Sequence, residues 1–173
     1  LCGEADLILP NAHACGGNQT IHLKPGRFVY YPSQFPHTLR ATSEAPANYL
    51  MFRWSASMKR RRAELAFGEF GMLNAEERSE AKLGLTTRLV FEGSTTHLRK
   101  LHCHTSVLTP GAGYVPHADR YDVSIVVLEG EVETIGQRVS PYGVIFYAAG
   151  KPHGMRNPGS ALARYIVFEF HTR

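Results

Sequence analysis

The sequence predicts a duplicated all-β fold, and three observations carry that prediction. Sixteen glycines and ten prolines fall between short apolar runs, which is the punctuation of strands joined by turns. The chain also resembles itself at an offset of 116 residues. Finally, His117 and His153 each sit beside a proline-marked turn, with strand-like runs between them. That is how a small β-barrel gathers imidazoles at its mouth.

The 173 residues suffice for one ordinary domain or two small ones, and a hydrophobic content of 43% is that of a globular protein with a real core. The net charge of +4 is concentrated in Lys59-Arg60-Arg61-Arg62. Without aromatic interleaving, this run reads as a solvated face rather than a nucleic-acid contact. Cys2, Cys15 and Cys103 form no C-x-x-C pair and are odd in number, so a disulfide framework is not expected and a reducing cytoplasm is. No apolar run approaches the roughly 18 residues of a membrane span, and no signal peptide is recognisable.

In chain order, Leu1–Leu9 reads as a strand leaving a turn, and Asn11–Gln19 as a loop. Thr20–Leu23 and Arg27–Tyr31 are short strands separated by Pro25-Gly26. Pro32–Pro36 breaks the second of these, His37 follows, and Asn48–Trp54 is a final apolar strand. The stretch 56–85 is a connector, partly helical, with a capping-box pattern at Asn74–Glu77. Leu89–Phe91 and Thr96–Thr109 are strands, and the second carries His102-Cys103-His104. Because side chains alternate along a strand, His102 and His104 share one face with Ser106 and Leu108. Leu101, Cys103 and Val107 share the other, and their apolar character makes theirs the expected core face. Strands Val123–Leu128, Glu131–Ile135, Val144–Ala148 and Arg164–His171 complete the series. Cys103 reads as a small buried hydrophobe. His13, His22, His97 and His171 have no partner pattern and read as surface residues.

The self-similarity aligns Pro25–Trp54 with Pro141–Phe170 without a gap, and nine of thirty positions are identical. Pro36-His37 falls on Pro152-His153, Arg40 on Arg156 and Tyr31 on Tyr147. Leu1–Ala5 likewise resembles Leu128–Val132, with a connecting loop 11 residues longer in the first copy. A repeat of this length is a duplicated domain rather than a solenoid unit. The second copy has about forty residues ahead of its Leu-x-Gly that the first copy lacks here. A half barrel leaves costly unpaired edges, so a further strand-rich segment is expected upstream, or from another chain.

The motifs resemble those of the cupins, whose barrel is a double-stranded β-helix, or jelly roll. The first cupin motif is represented by Gly111, five residues, then His117-Ala118-Asp119 and later Gly130. The second is represented by Gly143, Pro152-His153 and Asn157. The first copy retains Gly26, Pro32 and His37 of the second motif. The resemblance implies a bicupin: residues 1–55 as the C-terminal half of a first barrel, 56–85 as linker, and 86–173 as a complete second barrel.

It also implies a divalent transition metal, Fe, Mn, Zn or Ni, held by His117, Asp119 and His153. Asp119 stands where cupins carry their second histidine, and Val123 where they carry a glutamate. Asp122, pointing the other way, is a poor substitute. His102 and His104 are additional ligand candidates if their face is the lumen. Tyr121, Tyr147 and Arg156 are candidate substrate contacts, and His37 is the first-barrel counterpart of His153. Three functional classes follow. The first is a metal-dependent enzyme acting on a small polar, carboxylate or sugar-like molecule. The others are a non-catalytic binding or sensing module, and a structural domain. A small-molecule ligand and a homodimer are the expected partners, with neither nucleic acid nor membrane.

Overall fold

The computed structural model describes residues 1–10, 17–55, 64–71 and 84–172. Most of the expected helical connector, including the capping box and the basic run, lies outside the described residues, as do His13 and Cys15. Among the described residues there is no helix. By internal packing the chain divides into two units, Leu1–Ser55 with Ala66–Leu73, and Ala56–Leu65 with Asn74–Arg173.

The second unit is built from nine strands: β6 (Leu85–Gly93), β7 (Lys100–Leu108), β8 (Gly113–His117), β9 (Asp122–Glu129), β10 (Val132–Thr134), β11 (Gln137–Val139), β12 (Val144–Tyr147), β13 (His153–Arg156) and β14 (Ala163–His171). They form a five-stranded sheet in the order β12-β9-β14-β7-β6 and a four-stranded sheet in the order β11-β10-β13-β8. All pairings are antiparallel. The core joins inward residues of both sheets: Leu108, Val123, Ile125, Val127, Tyr165 and Val167 from one, Val132 and Met155 from the other.

The five-stranded sheet is buried on its outer face as well, at Leu101, Cys103, Val126, Ile166 and Phe168. Its central strands β9 and β14 therefore carry near-continuous apolar stretches, Ile125–Leu128 and Tyr165–Phe168, without the alternation that marks a sheet with one wet face. Burial pushes the Cys103 thiol well up from its ordinary pKa, so it is an unreactive packing group.

The two motif residues that close this unit are structural. Gly130 adopts φ +68°, and a Cβ there would collide with the backbone of Leu162 and Ala163, so only glycine fits the turn. Asn157 is 1% exposed. Its amide donates to the carbonyls of Leu108 (3.0 Å) and Ala161 (2.8 Å) and accepts from the Gly159 N–H (2.9 Å). Its main chain bonds the Ala112 carbonyl and the Gly111 N–H.

The first unit contains β1 (Ala5–Leu9), β2 (Gln19–Leu23), β3 (Arg27–Tyr30), β4 (Thr38–Ala41) and β5 (Gly68–Gly71). Its three-stranded sheet, β2-β1-β4, has the same order as β11-β10-β13, so the repeat is one of topology as well as sequence. Two expectations are corrected here. Asn48–Trp54 is not a strand; it makes only the isolated bridge Cys2–Asn48. In the second unit its counterpart β14 is flanked by β7 and β9; among the described residues of the first unit no strand pairs along Asn48–Trp54. Within the expected connector, Gly68–Gly71 is a strand that pairs with β3, from Arg27↔Gly71 to Tyr30↔Gly68.

The repeated sheets carry matching ladders of cross-strand charge. In the first unit His22 bonds Glu4 (2.8 Å) and Asp6 (3.0 Å), and Arg40 bonds Asp6 (2.9 Å). In the second unit Arg138 pairs with Glu131 and Glu133, and Arg156 grips Glu133 with two nitrogens. Glu4, Asp6, His22 and Arg40 align with Glu131, Glu133, Arg138 and Arg156 in the repeat. His22 is thus a ladder rung: it lies at the surface as expected, and it has carboxylate partners that the sequence did not show. Arg156 is engaged in the same device on the sheet exterior.

Two predictions follow from these contacts. Asn157→Ala strands two carbonyls and an N–H, and at about 1–3 kcal/mol for each buried unsatisfied group it should cost about 3–5 kcal/mol in urea unfolding; a loss under 1 kcal/mol would mean that the turn re-forms its bonds without the amide. The hydrogen bonds first to Asp6 and then to Glu4 raise the pKa of His22 above its ordinary value. The contribution of that cation is therefore complete below the ordinary histidine pKa and disappears as pH rises through the raised value. An NMR titration should show the raised midpoint, and Asp6→Asn should bring it back down.

Candidate metal centre

β8 ends at His117 and β13 begins at His153, and the antiparallel register sets these two residues directly opposite each other. Opposed residues on paired strands project to one side, so the imidazoles lie 4.6 Å apart between centroids. Asp119, in the turn after β8, completes the group. Its Oδ2 is 3.6 Å from His117 Nε2 and 3.4 Å from His153 Nε2. His153 is 4% exposed, whereas the His117 side chain is 47% exposed, so one histidine is anchored and the other faces solvent.

Each ring is set from behind. His153 Nδ1 bonds the Lys151 carbonyl at 3.0 Å, and His117 Nδ1 bonds the Val115 carbonyl at 3.3 Å. A carbonyl only accepts, so Nδ1 carries the proton in both rings and the Nε2 lone pairs turn toward Asp119. Tyr147 stacks on His153 at 3.8 Å and 13°, and its hydroxyl bonds Thr134. In the neutral form of the rings, two Nε2 lone pairs and a carboxylate converge here. Such a donor set fits a divalent transition ion, and the Nδ1–carbonyl bonds are the usual way of orienting its histidines.

Val123 is 4% exposed and packs in the core. The carboxylate of Asp122 accepts from the Ala149 N–H at 2.8 Å and is outside the metal-capable groups. His37 is exposed, bonds the Phe35 carbonyl and lies 4.1 Å from the Tyr31 ring. Among the described residues it too is in no metal-capable group. Tyr147 is only 2% exposed, so it supports His153 rather than presenting a free face. Arg156 is exposed and held by Glu133. It lines a cleft of about 450 Å³ with Tyr114, Thr134, Pro152 and His153, which takes in neither His117 nor Asp119.

The placement of His102 and His104 outside the barrel is corrected. His104 opposes Val167, and His102 opposes Glu169; Val167 and Leu108 belong to the core, so the even-numbered residues of β7 face inward. They do not join His117 and His153, however. They group instead with Glu169. A β-bulge in β6 between Leu89 and Phe91 turns Glu92 onto the same face, where Oε2 is 2.6 Å from His102 Nδ1. His102 Nε2 lies 3.0 Å from His104 Nδ1. Burial first, and the neighbouring His102, lower the His104 pKa to about 4, so it is neutral at pH 7.

Glu169 and His171 were not singled out by sequence reasoning. His171 is buried, bonds Glu169 at 2.8 Å and lies 3.8 Å from the Tyr121 ring, tilted against it, which corrects its reading as a surface residue. The available signal was the spacing of two along β14, which puts Glu169 and His171 on the face of Tyr165 and Val167. Tyr121 stands between the two groups. Burial first, then the charges of Glu169 and Asp119, hold its phenol well above the ordinary range, so it stays protonated and able to donate to either carboxylate.

Two antiparallel sheets closed around inward-facing histidines define the cupin fold, the jelly-roll form of the double-stranded β-helix. Over 99% of its length the chain is similar to a deletion mutant of the oxalate decarboxylase of Bacillus subtilis, with TM-score 0.63 and 12% identity, and it spans 61% of that chain. An RmlC-like cupin from Shewanella frigidimarina shares 22% identity over 67% of this chain and 96% of its own, with TM-score 0.48. A cupin domain of an XRE-family transcriptional regulator from Enterobacter cloacae shares 24% identity over 52% of this chain and 99% of its own, with TM-score 0.45. At these identities the likeness is one of fold, and it rests on the first comparison. No protein-family model and no curated protein matches the chain. Among the described residues no helix is long and apolar enough to cross a membrane.

Tyr147→Phe removes one buried hydroxyl contact while keeping the ring on His153. It should cost about 1 kcal/mol, whereas Tyr147→Ala should cost about 3–5 kcal/mol through the cavity it leaves. Chemical denaturation of both variants checks this, and equal losses would show that the hydroxyl rather than the ring holds His153.

Proposed function

We propose that the second unit binds a divalent transition metal through His117, Asp119 and His153 and uses it to act on a small, oxygen-rich substrate of the carboxylate or sugar-acid class. One observation carries this reading. Two Nε2 lone pairs, each fixed by an Nδ1–carbonyl bond, face one carboxylate oxygen at 3.4 and 3.6 Å.

The ion, when bound, supplies a Lewis-acid centre for substrate oxygens. The chain's own residues do the rest. His153, clamped between Tyr147 and the Lys151 carbonyl, fixes the inner wall. His117, being exposed, lies on the side from which a ligand enters. Tyr121 offers a hydroxyl beside Asp119, and Tyr114 lies 5.4 Å from the His117 ring, so phenols border the site. Three protein donors leave coordination positions for ligand atoms. The structural neighbour named an oxalate decarboxylase is an instance of this barrel serving a small carboxylate.

One observation favours a second reading, a non-catalytic binding or sensing module that uses the same pocket. The glutamate position of the motif is a buried valine, and Asp122 is committed to the Ala149 N–H, so no carboxylate stands there for general base work.

Elemental analysis of protein purified without chelator tests the metal reading. His117→Ala and His153→Ala should each lower the content by one ion per chain, and Asp122→Ala should not. Protein devoid of stoichiometric transition metal would overturn it. With metal present, ligands that raise the melting temperature without being converted favour the binding module.

A further inference from the structure

The inward face of β7 carries a second set of donors that the trio does not use. The ligand-capable atoms of His102, His104 and Glu169 all lie within 4.8 Å of one another, and the three side chains are only 15–18% exposed. They come from adjacent strands whose register is unbroken, with His102 directly across from Glu169.

Two of the three donors are oriented from behind. Glu92 accepts from His102 Nδ1 at 2.6 Å, which leaves Nε2 as the ring atom turned to His104. His171 Nε2 donates to Glu169 Oε2 at 2.8 Å, which leaves Oε1 on the His104 side, 4.0 Å from Nδ1. A carboxylate behind a histidine and a hydrogen bond behind a ligating carboxylate are what holds metal ligands in place. A simple chain of hydrogen bonds explains the contact between the two rings. It does not explain why Glu169 Oε1 faces His104 at a distance too long for a bond.

We propose that His102, His104 and Glu169 form a second divalent transition-metal site, separate from the His117–Asp119–His153 trio, with Glu92 and His171 as its positioning residues. Two imidazoles and a carboxylate suit zinc, cobalt, nickel, iron or manganese. The ion replaces the hydrogen bond between the rings. The proton between His102 Nε2 and His104 Nδ1 is displaced to solvent, and each ring keeps one proton, on Nδ1 of His102 and Nε2 of His104, so that both coordinate as neutral imidazoles. Tyr121, in ring contact with His171 and facing Asp119, stands between the two sites. Nothing in this assignment depends on the trio binding metal.

Cobalt(II) is the probe, because its visible absorption reports nitrogen and oxygen ligation. The full chain carrying His117→Ala and His153→Ala should still bind about one cobalt per chain, and the unsubstituted chain one more. In the doubly substituted background, Glu169→Gln should abolish the band, and Glu92→Gln should weaken binding about 10- to 100-fold, the usual effect of removing a ligand's supporting partner. Glu92→Gln leaves all three donors present, so it reads the site even where Glu169→Gln disturbs folding. Cobalt binding in the background variant with none in the triple variant supports the site whatever the trio does. A background variant that takes up no cobalt, or one whose binding is unchanged by both glutamine substitutions, overturns it.

Discussion

The second barrel hangs on one buried amide. Asn157 ties the end of β7, the turn before β8 and the turn before β14 to a single residue: its side chain bonds the carbonyls of Leu108 and Ala161 and the Gly159 N–H, and its main chain bonds the Ala112 carbonyl and the Gly111 N–H. These are the points where the chain passes from one sheet to the other. Turns of this kind bury backbone groups that the ladders cannot reach, and an unpaired buried carbonyl is expensive. By satisfying them, Asn157 fixes where β8 and β13 begin and end relative to each other. The opposition of His117 and His153 is a consequence of that register.

Much of this was legible. Turn chemistry marked the strands, and proline-histidine pairs marked the ends of two of them. Topology followed from the repeat, because a duplicated sequence folds to the same strand order. The face on which His102 and His104 lie was not legible. The apolar-face rule assumes one wet side, and here Leu101 and Cys103 are buried on the outside while histidines occupy the inside. In a sheet covered on both faces, the alternation of β7 does not say which of its sides is the lumen. Glu169 and His171 were missed for a related reason. Their importance comes from cross-strand neighbours some 67 positions away in sequence, such as His102, and a strand read by itself carries no trace of its partners.

The two units show which parts of the repeated sheet persist together. The exterior ladder is retained position by position, from Glu4, Asp6, His22 and Arg40 to Glu131, Glu133, Arg138 and Arg156. The surroundings of the paired histidines differ among the described residues. His153 has a carboxylate and a second imidazole before it, whereas His37 has the Tyr31 ring and the Phe35 carbonyl beside it. Cross-strand ion pairs on an open face contribute little each, but they set register, and register is what both copies share. β5 shows the same economy: a strand from the connector lies along β3, where the second unit uses β9 against β12.

The bulge in β6 has a further consequence. One unpaired residue between Leu89 and Phe91 shifts the phase of the strand, so that both Leu89 and Glu92 face the interior despite a spacing of three. The support behind His102 thus depends on the bulge as much as on the glutamate itself. Val90 can change its side chain and leave Glu92 where it is, and deleting Val90 would leave a regular strand with Leu89 and Glu92 two apart and still on the inner face. A β6 that kept Val90 but paired it in the ladder would instead turn the carboxylate to the opposite face. The extra residue is therefore a matter of phase: what it contributes is where it leaves Glu92, whatever side chain it carries.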